Sequence, residues 1–161
     1  MGGVLYYNYR RPMLIQNTFI NNTAPYGHNI ASYPVRIANF DSMSESMSLN
    51  NVGSGIYLHD SLPSSNKSYL KLALVDYDDQ IMVLSNSSKI SIINTDNSSS
   101  VIGTSEMVTT QGVAQFDNIG FISTPGLTNV MFEASSEDID NHKVSRLDLA
   151  INNTIIVNFR Y

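Results

Sequence analysis

From residue 56 onward, short apolar runs alternate with clusters of small polar residues. Tyr69-Leu70-Lys71-Leu72-Ala73-Leu74-Val75-Asp76 places Leu70, Leu72 and Leu74 on one side of an extended chain, the period of two expected of a strand with one buried face. Gln80–Leu84 follows the turn Asp76-Tyr77-Asp78-Asp79. Lys89–Asn94 carries β-branched residues at alternate sites. Gly112–Ile119 follows a Gln-Gly turn. Asn129–Ala134 sends Val130 and Phe132 inward, Arg146–Ile151 alternates cleanly, and Thr154–Arg160 closes the chain. The separators are Pro63-Ser64-Ser65-Asn66, Ser85-Asn86-Ser87-Ser88, Asp96-Asn97-Ser98-Ser99-Ser100 and Thr124-Pro125-Gly126. Strands punctuated in this way predict an all-β antiparallel sandwich over 56–161. The best helix candidate is a turn around Ser135–Ile139.

Residues 1–40 read differently, being rich in Tyr, Asn, Ile and Pro. The segment 41–55 is small and polar, with Met43, Met47 and Leu49 set among serines, and reads as a linker or an edge strand. The first forty residues are too few for a core of their own and too apolar for free solution. Two homes are open to them: their own sandwich, or an open sheet edge of a neighbouring copy, to which they donate a strand. Donation by every copy to the next gives a contact that does not close, and hence a filament. The residues expected at that interface are Val4, Leu5, Tyr6, Tyr7, Leu14, Ile15, Phe19, Ile20 and Tyr26. Five of the nine tyrosines fall within the first 33 residues, and Tyr suits interfaces because it joins apolar area to a polar tip.

Composition narrows the function classes. The chain has 161 residues, 42% hydrophobic and 14% charged, with a net charge of −5. So few charges argue against both disorder and a coiled coil. Nine basic residues without a basic run argue against nucleic-acid binding, which needs clustered Lys and Arg. Cysteine is absent, so disulfides, thiolate metal sites and thiol nucleophiles are excluded. No apolar run reaches membrane-spanning length. The start, Met1 to Arg11, does not read as a signal peptide, since its arginines follow its apolar residues; it reads like the middle of a structural repeat.

Two stretches carry resemblances. Gly103-Thr104, Gly112-Val113-Ala114-Gln115-Phe116-Asp117-Asn118-Ile119, Thr124-Pro125-Gly126 and Asn129 to Ser135 together resemble the second half of immunoglobulin-like modules of large extracellular surface and adhesion proteins. Leu72 to Gln80 is similar to an upstream element of those modules. The resemblance covers about residues 55–135, with looser support to Tyr161, and lacks the antibody Cys-Trp-Cys core. Gly2-Gly3-Val4-Leu5-Tyr6 and Asn17 to Gly27 resemble coils of parallel β-helix surface proteins of ciliated protists. At most two such coils are present, and a single coil cannot bury its own face. The resemblances imply an extracellular or cell-surface setting and an immunoglobulin-like fold.

Candidate sites are sparse. Asn-x-Ser/Thr acceptor motifs occur at Asn21, Asn66, Asn86, Asn97 and Asn152, of which Asn66, Asn86 and Asn97 fall in expected polar loops. Asp76, Asp78 and Asp79, or Glu137, Asp138 and Asp140, offer the hard oxygen ligands that calcium favours, yet neither set matches the twelve-residue calcium loop. They read equally as turn residues bonding their own backbone. His28, His59 and His142 lack the spacing of a zinc site. Gly53-Ser54-Gly55 lacks the flanks of a nucleophile elbow. No cofactor or catalytic residue is expected. The expected function is a non-enzymatic structural subunit of an extracellular filament or coat that assembles with copies of itself and carries N-linked glycans; the alternative is a carbohydrate- or ligand-binding adhesion module.

Overall fold

A computed structural model describes residues 4–45, 56–58, 68–147 and 151–159. In chain order its elements are β1 (Leu5–Tyr6), β2 (Ile30–Ala31), β3 (Pro34–Asn39), α1 (Phe40–Glu45), β4 (Ile56–Leu58), β5 (Ser68–Asp76), β6 (Lys89–Asn94), β7 (Ser99–Gly103), β8 (Glu106–Val108), β9 (Val113–Ser123), β10 (Val130–Ser136), α2 (Asn141–Val144) and β11 (Thr154–Val157). The protein is all-β. One sheet runs β3-β5-β9-β7 and another β4-β11-β10-β6-β8, while β1 and β2 form a separate pair. Neighbours pair antiparallel except β1 with β2 and β4 with β11.

Inward-facing side chains of both larger sheets meet in one core. Leu70, Leu72 and Leu74 of β5 join Ile90 and Ile92 of β6, Phe132 of β10, and Ile155 and Val157 of β11. Phe121 and Phe132 touch across the sheets, ring centroids 4.7 Å apart. On β9 the alternation slips. Ser68 pairs with Ile119, but Leu70 pairs with Phe116, so β9 carries one extra residue between them. That bulge turns Phe116 and Ile119 to the same side, and both are fully buried.

Several expectations change here. Part of the 1–40 segment has a home in its own chain. β3 pairs with β5 from Pro34 to Asn39, and Val35, Ile37 and Tyr9 belong to the main core. The period-two pattern of Val35 and Ile37 is a strand signal that the surrounding Tyr- and Asn-rich composition obscures. The start of 41–55 is helical rather than a linker or strand: Phe40 and Met43, three positions apart on α1, pack with Ile81 and Val113 over Ala38, Ala73 and Val75. Residues 46–55 lie outside the described residues. Gln80–Leu84 contributes one bridge, Ile81 to Val75, instead of a strand. Of the expected strand Arg146–Ile151, Arg146 and Leu147 instead form turns after α2, their N–H groups donating to the carbonyls of Lys143 and Val144, and residues 148–150 lie outside the described residues. The expected helical turn at Ser135–Ile139 begins inside β10. The expected separator 96–100 ends early, since β7 starts at Ser99.

Candidate functional site

The densest polar site joins the N-terminal segment to the turn after β5. Asp76 is fully buried. Its Oδ1 accepts from the N–H groups of Asp78 (3.0 Å) and Gln80 (2.9 Å), which closes the turn. Asp79 takes the left-handed conformation this turn needs, with φ of 60°. Residues from the first third of the chain then grip the turn from outside. Tyr26 donates its hydroxyl to Asp76 Oδ2, and Tyr7 donates to Asp78 Oδ2 at 2.7 Å. Arg11 reaches Asp78 Oδ1 at 2.8 Å, and Arg36 reaches Asp79 at 2.7 Å. Gln80 Nε2 donates to the Ile30 carbonyl, and the Tyr77 N–H to Ser32 Oγ.

Burial pushes the Asp76 carboxyl above its ordinary range, against the opposing donation from Tyr26. The same burial, reinforced by Asp76, drives the Tyr26 hydroxyl upward, and burial with donation to Asp78 does so for Tyr7. The three turn carboxylates thus point to separate donors. Among the described residues no group of three or more His, Asp or Glu side chains is placed to hold a metal ion. Of the second acidic set, Asp138 accepts from Ser88, Asp140 caps α2 and pairs with Lys143, and Glu137 is exposed.

The nine residues expected at an interface divide into three groups. Tyr7 and Tyr26 are buried against their own chain. Leu5, Leu14 and Phe19 are half-buried. Val4, Tyr6, Ile15 and Ile20 are exposed. Residues 10–25 form an arm between the anchors Tyr9 and Tyr26, and on it Met13 is 85% exposed and Ile15 and Ile20 each 68%. Beside the arm's anchors lies an aromatic ladder, in which Tyr9 stacks on Tyr33 at 5.4 Å and Tyr6 meets Tyr33 edge-on. Lys143 sits over the Tyr9 ring. Sequence reading missed this ladder, since nothing local links Tyr33 to Tyr6 and Tyr9.

The acceptor asparagines Asn21, Asn86, Asn97 and Asn152 are all exposed. Asn86 Oδ1 also accepts from the Gln111 N–H, and Asn152 Oδ1 from the Thr154 N–H. His28 accepts from the Ala24 N–H, and His142 contacts Arg146. Asn66, His59 and Gly53-Ser54-Gly55 lie outside the described residues. An open depression of 530 Å³ on the outer side of β5 and β9 is lined by Phe40, Ile81, Val113 and Lys71, whose ammonium rests against the rings of Phe40 and Tyr69. No described helix is long and apolar enough to cross a membrane. The fold defines an all-β protein of two larger sheets around a shared core. Comparison of the chain with protein-family models, curated proteins and solved structures gives no match.

Proposed function

We propose that this protein is a non-enzymatic structural subunit of an extracellular filament or surface coat, built on an immunoglobulin-like β-sandwich and associating head-to-tail with copies of itself. The observation that carries this reading is the arm at 10–25, which holds Met13, Ile15 and Ile20 in solvent while its two ends are fixed by buried tyrosines. Apolar groups gain about 25 cal/mol for each Å² they remove from water, so an anchored arm of this kind favours a partner surface. The donated part is therefore the arm rather than the whole of 1–40, with β3 kept at home. Glycans at Asn21, Asn86 and Asn97 suit the same setting, since these side chains face solvent.

Light scattering on the full chain tests it. Long assemblies are expected, and Met13→Ser, Ile15→Ser and Ile20→Ser together are expected to reduce them. A unit that stays monomeric at high concentration overturns the reading. One observation favours a second reading, a carbohydrate-binding adhesion module: Tyr6 and Tyr33 offer partly exposed, adjoining rings, the kind of surface on which sugar rings pack. A glycan array read against Tyr33→Ala separates the two.

A further inference from the structure

Among the described residues, four strands stand at the edges of the two larger sheets: β3, β7, β4 and β8. An exposed edge offers unpaired N–H and C=O groups to any other strand, and proteins blunt such edges with charge, proline, bulges or brevity. β3 carries Pro34, Arg36 and a bulge between them, and its Ile37 N–H is taken by Asn153 Oδ1 at 2.9 Å. β4 and β8 are three residues each, and β8 opens with Glu106 tied to Lys89. β7 is the exception. It runs five residues, Ser99-Ser100-Val101-Ile102-Gly103, with no charge and no proline.

The ladder tells which side of β7 is open. Thr104 N–H donates to the Asn118 carbonyl at 2.8 Å, and Thr124 N–H donates to that of Ser98 at 3.0 Å. Hydrogen-bonded pairs alternate in an antiparallel ladder, so Ser100 and Ile102 bond toward β9 while Val101 and Gly103 turn their N–H and C=O groups away from it. Among the described residues these outward groups have no hydrogen-bond partner.

We propose that this edge receives β7 of a second copy, antiparallel, joining two four-stranded sheets into one eight-stranded sheet across a two-fold axis at Val101. The strand is self-complementary in that arrangement. Val101 meets Val101 of the other copy and the two exchange both backbone bonds. Gly103 N–H donates to the opposite Ser99 carbonyl, while Ser100 and Ile102 stand opposite each other on the outer face. No like charges meet on the strands. The contact is isologous and closes at two copies, so it is distinct from the head-to-tail contact of the arm and does not depend on it.

Sedimentation velocity on the full chain tests the proposal, alongside amide exchange at Val101 and Gly103 in dilute and concentrated protein. A dimer is expected once the arm contact is removed by the serine substitutions, and in the native chain the same contact is expected within the longer assemblies, with exchange at both amides slowed about tenfold or more as it forms. Ile102→Lys, on the outer face at the joint, is expected to weaken dimerisation about tenfold or more without touching the core. Val101→Pro, which removes an outward N–H, is expected to do the same. The serine-substituted arm variant keeps the dimer. Dimerisation unchanged by Ile102→Lys, equal exchange at every concentration, or an arm variant that is wholly monomeric while Ile102→Lys is not, overturns the proposal and leaves the arm reading standing. A pairing of β7 with a different protein's strand in place of its own copy also overturns it.

Discussion

Tyr26 donates its hydroxyl to the carboxylate of Asp76 across 2.5 Å, joining residues 50 positions apart at a point with no solvent exposure of the acid. The acid does more than meet the tyrosine, because its other oxygen accepts two turn N–H groups. Removing it leaves the Asp78 and Gln80 N–H groups of the turn without their acceptor and takes the carboxylate from Tyr26 and the Gln80 side-chain amide. Asp76→Ala is therefore expected to cost about 2–4 kcal/mol in urea unfolding. Asp76→Asn keeps Oδ1 for the backbone, and its Nδ2 can donate to the Tyr26 oxygen, whose proton then passes to the Ser32 carbonyl 3.1 Å away. Its cost is expected near 1 kcal/mol. Equal losses for the two variants would contradict this account of the turn.

The same carboxyl sets a pH dependence. Burial raises its folded-state pKa above the unfolded value. A folded state that holds the proton more tightly than the unfolded one is favoured in acid, so Asp76's contribution is fully present below the ordinary carboxylate value and is lost as pH rises through the raised one. Asp76→Asn removes that loss. Urea midpoints measured from acid to neutral pH are expected to show the variant gaining on the native chain as pH rises, and a constant gap would refute the assignment.

Much of the two-sheet scaffold is legible in the chain. β6, β10 and the start of β9 follow from alternation alone, because each has one face in the core and the other turned out, and β5 shows the same period at Leu70, Leu72 and Leu74 although Ala73 and Val75 on its other face are buried under α1. What is hidden depends on distance. The pattern at Arg146 and Leu147 yields to turns that follow α2, whose carbonyls at Lys143 and Val144 accept the two N–H groups. β7 and β8 are short and serine-rich or charged, so their apolar content is too small to mark them. The site at Asp76 is half legible: its turn reads from Asp76-Tyr77-Asp78-Asp79, but the donors Tyr7, Arg11, Tyr26 and Arg36 lie far upstream, where no spacing rule connects them to it.

Tyrosines of the N-terminal segment add an alkaline limit. Tyr6, partly exposed, is pushed up to about 12 by partial desolvation and then by the neighbouring Tyr33, and burial with nearby carboxylates drives Tyr7 and Tyr26 upward as well. Raised folded values mean that their stabilisation is intact below the free phenol value of 10.0 and is lost as pH rises through the raised ones. Tyrosinate absorbance is expected to show a late-ionising group, with release of the segment followed by amide exchange in residues 4–33. Tyr7→Phe and Tyr26→Phe should each remove one late phenol. Ionisation of every tyrosine in one step near the free value, with the fold intact, would rule this out.

Two glycines at turns should respond differently to a methyl group. Gln111 and Gly112 both take positive φ, 51° and 78°, between Thr110 and Val113, the two-residue turn that suits the twist of a hairpin. A Cβ on Gly112 would stand 2.5 Å from the Met82 carbonyl oxygen, whereas one on Gly126 meets nothing within 4 Å. Gly126→Ala carries only backbone strain, about 1–2 kcal/mol. Gly112→Ala adds displacement of backbone and is expected to cost about 3 kcal/mol or more. Thermal unfolding of the pair checks the order, and equal melting temperatures would argue against the close approach.

Ser123 ends β9 opposite Ser99 of β7, and the two hydroxyls fare differently. Ser99 Oγ donates to Asp96 at 3.1 Å, while Ser123 Oγ is buried without a hydrogen-bond partner among the described residues. A hydroxyl that leaves water and finds no partner keeps its full desolvation cost, so its removal should help. Ser123→Ala is expected to stabilise the protein by about 1 kcal/mol, and Ser99→Ala to destabilise it by a similar amount, because the second change breaks a bond to a carboxylate and the first breaks none. Urea unfolding of both variants decides the matter. A loss of stability in Ser123→Ala would mean that the hydroxyl has an acceptor in the folded protein, which would place a bound water or a further part of the chain beside the β7 edge.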